Sequence, residues 1–142
     1  MDYRKFGDTY VLRLERGEEI MKSLTTLAEK EDIRLAKIEG LGAADQLSVG
    51  VYDVPAKQYI RHDYEEPLEI TSLTGNITRM DGRPYLHVHI SAGRRDNQVI
   101  GGHLNAARIG GTAEIFVTAL DGEVGRKYDD ITDTGLNIFD FK

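Results

Sequence analysis

The chain has 142 residues, with 24 acidic and 18 basic side chains, a formal charge of -6 and no cysteine. That length is ample for one hydrophobic core, and the missing cysteine excludes disulfides, thiolate metal ligands and cysteine nucleophiles. The acidic balance weighs against a chain that grips nucleic acid by its own surface charge.

No run approaches the roughly 18 apolar residues of a membrane span. The opening MDYRKFGDTYVLRL lacks the basic-then-apolar pattern of a signal peptide, so a cytoplasmic single domain over residues 1–142 is expected. Residues 10–15 alternate Tyr10, Leu12 and Leu14 against Val11, Arg13 and Glu15, which predicts a strand broken by Gly17. From residue 18 to 31 the period changes. Ile20, Leu24 and Leu27, joined by Met21 and Ala28, recur at helical steps, with Glu18 and Glu19 at the positive end and Lys30 at the negative end.

A strand over 33–39 is expected to end in a turn at Gly40-Leu41-Gly42-Ala43. That turn resembles a phosphate loop only superficially, lacking the further glycine, lysine and helix the nucleotide motifs need. Residues 47–52 form the next strand, Pro55-Ala56-Lys57 a turn, and 59–64 a short return strand. A long strand follows over 68–78, with Gly75 marking a close approach by a neighbouring backbone or the helix. Asp81-Gly82 is a hairpin signal leading into the strand 85–91. After a turn at 93–97, Val99 and Ile100 resume a strand into Gly101-Gly102-His103-Leu104. Gly110-Gly111 predicts a reversal, residues 112–120 another strand, and the apolar end of the tail, 135–139, a docked segment.

One early helix and six to eight strands joined by hairpin-like turns make an α+β fold with a mostly antiparallel sheet. A single helix cannot cover every apolar face of so many strands. Either the sheet curls on itself or subunits cover it, and a closed cyclic homo-oligomer is the economical solution.

Three of the four histidines fall within residues 85–104. Strand alternation puts Tyr85, His87, His89 and Ser91 on one face and Leu86, Val88 and Ile90 on the core face, so the two imidazoles sit about 7 Å apart along the strand. His103, after the turn, could return beside them. Such a set suits a divalent metal, zinc foremost, with a fourth position for water or substrate; nickel, copper and iron also accept imidazole. Gly101 and Gly102 would serve as turn or pocket backbone. The alternative is a polar subunit interface or pocket in which the histidines bond to carboxylates or backbone. Glu114 is read either as an acid–base or ligand-orienting group or as a plain strand carboxylate paired with Arg108. His62 is read as a subunit-interface residue, the doublet Arg94-Arg95 as a solvated turn, and Arg126-Lys127 as a local basic patch with acidic neighbours. No catalytic residue is assigned.

Several segments resemble the plant-and-prokaryote-conserved (PPC) domain: Gly17-Glu18-Glu19, Ile38 through Ala43, Glu69 through Ile77, and above all Leu86-His87-Val88-His89-Ile90-Ser91 followed by Gly101-Gly102-His103-Leu104 and Glu114. The likeness runs over about residues 10–139. It implies a sheet of about seven mainly antiparallel strands with one packed helix, assembled as a homotrimer, and a divalent-metal role for His87, His89 and His103. Plant members join the domain to AT-hooks and associate with DNA. In this chain Gly82-Arg83-Pro84 resembles the hook's centre but has no flanking basic residues. The readings to be weighed are a metal-binding homotrimer, a non-enzymatic assembly or DNA-associated module, and a metal-dependent hydrolase or lyase.

Overall fold

The computed structural model describes residues 1–141. It is an α+β fold of eight strands and one helix: β1 (Asp2–Phe6), β2 (Thr9–Glu15), α1 (Ile20–Lys30), β3 (Ala36–Asp53), β4 (Gln58–Met80), β5 (Arg83–Gly93), β6 (Val99–Ala119), β7 (Gly125–Tyr128) and β8 (Asn137–Asp140). Their order in the sheet is β1-β2-β6-β3-β4-β7-β8, and β5 pairs with both β4 and β6. Strands β3, β4, β5 and β6 therefore close a circuit of hydrogen-bonded neighbours, and every pairing among them is antiparallel. The expected curl is a closure by main-chain pairing. The β5–β6 pairing removes the open edges that β5 and the first part of β6 would otherwise present.

The strands are longer than the sequence punctuation implies. Gly40 to Ala43 is not a turn: β3 continues through it, with shifts of register between Gly40 and Gly42 and between Ala44 and Gln46. Gly110-Gly111 is not a reversal either, since β6 runs on to Ala119. The segments 59–64 and 68–78 are one strand with Pro67 inside it. In each case an irregular residue bends a strand without ending it. A bulge adds a residue to one strand of a pair and increases local twist, and these bends let long strands wrap. The short β1 lies outside the predicted set; it pairs with β2 around Gly7 and Asp8.

Helix α1 buries Ile20, Leu24, Leu27 and Ala28, the stripe its periodicity dictates. Glu19 is its N-cap: the carboxylate accepts from the amides of Met21 and Lys22 at 2.9 and 2.8 Å. The same side chain accepts from the Ala107 amide at 3.0 Å. One carboxylate thus satisfies two orphan helix donors and ties α1 to β6. The core beneath is aliphatic around Leu12, Leu14, Ile38, Ile77, Val88, Leu104, Ile109 and Ile115, with Tyr10 its one buried aromatic among the described residues. Val88 and Ile90 belong to it, which turns the alternate residues of β5 outward.

The tail docks as its apolar residues indicated. Strands β7 and β8 pair with each other, and β7 meets β4 in parallel at Arg79 and Gly125. Asp129 folds the connection by accepting from the Thr132 amide and from the hydroxyls of Thr132 and Thr134. Those donors hold its carboxyl well below the ordinary aspartate range.

Candidate metal centre

Two features of strand pairing bring the three histidines together. His87 and His89 are two positions apart on β5, so they share the face opposite Val88 and Ile90. His103 stands directly opposite His89 in the β5–β6 ladder. Ring centroids lie 5.0 Å apart for His87 and His89, 5.3 Å for His87 and His103, and 5.6 Å for His89 and His103.

The approach of β6 to β5 depends on the glycine doublet before His103. A Cβ on Gly101 would lie 2.3 Å from the Ile90 carbonyl oxygen, and one on Gly102 would lie 2.6 Å from that of Gly50. Both distances are far inside contact range. Only glycine lets β6 pass this tightly between β5 and β3. Gly75 plays a similar part on β4, where a Cβ would meet the His87 carbonyl oxygen at 2.4 Å; the close neighbour there is strand backbone.

The donor set fits a divalent ion. One ligand atom from each histidine lies within 4.8 Å of the others, and His87 Nε2 is 3.2 Å from His89 Nε2. Two nitrogens on a tetrahedral ion with bonds of 2.0–2.1 Å would be about 3.3 Å apart. His87 is pushed down to about 4, first by burial and then by the positive fields of His89, His103 and Arg126. Burial and His89 lower His103 as well. Both rings are therefore held as neutral imidazoles at neutral pH, with a lone pair to offer.

This depression has a stability consequence for protein stripped of metal. Between about pH 6.5 and pH 4 the unfolded chain binds a proton at His87 that the folded chain does not, so stability rises with pH across that window and falls on acidification. Side-chain NMR of the stripped protein is expected to show His87 titrating with a midpoint near pH 4. A midpoint at the ordinary value of about 6.5 would contradict the burial on which the site depends.

The cluster opens into a cavity of about 810 Å³. Tyr59 approaches His103 edge-on, with centroids 6.1 Å apart, and its hydroxyl donates to Asn105 Oδ1 at 2.8 Å. Tyr85 lines the other end, and Leu136, Ile138 and Phe139 of the tail supply an apolar wall. Between them stands Arg126, stacked on the rings of Phe139 and Tyr85 at 4.3 and 4.8 Å. Its Nε donates to Thr78 Oγ1, its Nη1 to the Asn137 carbonyl and its Nη2 to Asn76 Oδ1.

The structure does not bring Glu114 to the imidazoles. It is exposed, toward the far end of β6, opposite Arg13 of β2 and Leu41 of β3. Arg108, read as its partner, bonds instead to Asp45 at 2.7 Å. His62 is exposed on β4 opposite Val49 and lies outside the cluster. Arg94 pairs with Glu66 at 2.7 Å, as a solvated pair would. Arg126, which its sequence marks only as part of a local basic patch with Lys127, is the cavity residue no motif pointed to; the β7–β4 contact carries it there.

The sequence profile of the Plants and Prokaryotes Conserved (PCC) domain matches residues 1–121. A proposed DNA-binding protein from Bacteroides thetaiotaomicron is 35% identical over 99% of this chain and 96% of the other, with a TM-score of 0.94. A metal-containing protein from Archaeoglobus fulgidus is 33% identical over 98% of each chain, with a TM-score of 0.87. A plant- and prokaryote-conserved protein from Pyrococcus horikoshii is 31% identical over 98% of this chain and 94% of its own, also at 0.87. No curated protein matches the chain. Among the described residues, no helix is long and apolar enough to cross a membrane.

Proposed function

The chain belongs to the Plants and Prokaryotes Conserved domain family, and on that premise we propose that it is a single-domain, cytoplasmic homotrimer that binds one divalent ion per subunit through His87, His89 and His103. The observation that carries this reading is the mutual approach of three imidazole nitrogens to within 4.8 Å. Zinc is the ion assigned, because three imidazoles with a free fourth position suit its tetrahedral preference. A bound ion supplies Lewis acidity at that position. The residues of this chain hold it, keep its ligands neutral and wall off one side with the tail. The metal-containing relative from Archaeoglobus fulgidus supports the same reading.

Assembly is supported by apolar side chains left uncovered on a single chain. Val51 and Ile60 stand directly opposite each other on β3 and β4, 61% and 44% exposed, and Leu41 and Phe116 are similarly bare. Such patches mark surfaces that other chains cover, and closed symmetry is the ordinary way to cover them.

Elemental analysis of protein purified without a histidine tag or added metal tests the site. About one tightly held ion per chain, zinc in excess of other metals, is expected. Folded protein free of metal after metal-replete growth would overturn the reading. Solution scattering or ultracentrifugation of the same sample reports the trimer.

A second reading, DNA association, is favoured by the relative from Bacteroides thetaiotaomicron, a proposed DNA-binding protein. The charge of -6 argues against it. Phosphate contacts make affinity fall steeply with salt, so polarisation titrations at low and physiological ionic strength separate the two readings.

A further inference from the structure

The charge of the cavity runs opposite to that of the chain. Twenty-four carboxylates are distributed over 142 residues, yet among the described residues none lines the cavity that holds the imidazoles, and Arg126 is its one fixed charge. The hydrogen-bond partners of that guanidinium are all neutral: a hydroxyl, an amide oxygen and a backbone carbonyl. Arg94 and Arg108, by contrast, each hold a carboxylate at 2.7 Å. A guanidinium carries five N–H groups. With three engaged, one N–H on each terminal nitrogen is left for a ligand.

A partly buried cation without a counter-ion is costly unless something compensates it. The Tyr85 and Phe139 rings compensate in part and fix the plane of the group. They supply no negative charge. Position matters too: Asn76, which accepts from Arg126, stands directly across the ladder from His87. The guanidinium is therefore anchored at the His87 end of the cluster, in a cavity with an apolar wall.

We propose that this cavity binds a small organic monocarboxylate with an apolar or aromatic body, its carboxylate held by Arg126 and its body against Leu136, Ile138 and Phe139. One guanidinium matches one carboxylate in charge and in its paired donors. The apolar wall has no use for a polar body, and about 810 Å³ is within the usual range for small-molecule sites. The inference deepens the metal reading and rests on it for one contribution only. A divalent ion on three neutral imidazoles adds positive charge that no lining carboxylate offsets, which strengthens the pull on the same anion.

The test is calorimetric titration of 3-phenylpropionate, with 3-phenylpropionamide as the neutral control, into chelator-stripped and zinc-loaded protein. The acid is expected to bind stripped protein, more tightly after zinc loading, and the amide to bind far more weakly. Arg126→Gln should weaken the acid roughly 10- to 100-fold, the loss of charge-assisted hydrogen bonds. Because Arg126 also pins the tail, Ile138→Glu is the second variant. It places a carboxylate on an accessible wall position, and is expected to weaken the acid while leaving the Tm unchanged. Equal binding of acid and amide, wild-type affinity in both folded variants, or an acid that binds neither form would overturn the inference. Protein that holds no zinc but binds the acid through Arg126 sinks the metal reading and supports this one; zinc-loaded protein that ignores the acid sinks this one alone.

Discussion

Replacement of His103 by alanine is expected to strip the ion from the protein while leaving it folded. His103 is the one donor that β6 contributes, opposite His89 across the ladder. Without it, two neighbouring imidazoles on a single strand face remain, and the coordination number supplied by protein drops from three to two. Affinity should fall by more than the roughly 100-fold that losing an outer-shell partner costs. His87→Ala should do the same, since its Nε2 sits 3.2 Å from that of His89. Neither change touches the aliphatic core, so circular dichroism should be unaltered. His62→Ala is the control, because that ring is exposed opposite Val49 and outside the cluster. Competition with a zinc-sensitive dye measures the series. Wild-type ion content in His103→Ala would mean that the three imidazoles do not act together.

The cluster was legible in the sequence because each of its parts has a local signature. Alternation along residues 85–91 puts His87 and His89 on one face, and Val88 and Ile90, buried as expected, confirm which face is inward. The Gly-Gly-His run carried the third member, since close packing of backbone on backbone is a reason for paired glycines. What no local pattern could supply was the register. His89 meets His103 only because β5 pairs with β6 as well as β4, a closure set by the whole circuit of strands.

Two kinds of feature escaped for stated physical reasons. Glycines at 40, 42, 110 and 111 look like chain reversals, because glycine permits turns and bulges alike. Only the neighbouring strands decide which. The second is Arg126. It reaches the cavity through one parallel bridge, Arg79 to Gly125, and through hydrogen bonds to Asn76 and Thr78, residues remote in sequence. A parallel contact made by a four-residue strand leaves no periodic trace. Glu114 shows the converse: its sequence sits at the right place in a string of motifs, but β6 carries it away to the β2 side of the sheet.

If the glycine doublet holds the site closed, Gly101→Val should lower fold stability and abolish metal binding together, where His103→Ala separates them. The smallest added side chain already places a carbon 2.3 Å from the Ile90 carbonyl oxygen and 3.1 Å from the Ser91 Cα. The obstacle is backbone, so no rotamer change relieves it. The Gly101–Ser91 and Gly102–Ile90 pairs would have to part, and they are neighbours of the His103–His89 pair in the same ladder. Overpacking of this kind costs about 3 kcal/mol, which for a chain of this length corresponds to a fall in Tm of the order of 10 °C. Moving β6 outward also separates His103 from the two imidazoles of β5, so the rise in Tm that zinc is expected to give the wild type should be lost. The informative measurement is therefore the Tm of each protein with and without zinc. A Gly101→Val protein with wild-type Tm and a wild-type zinc increment would show that β5 and β6 can part at this point without opening the cluster, and that the doublet is incidental to it.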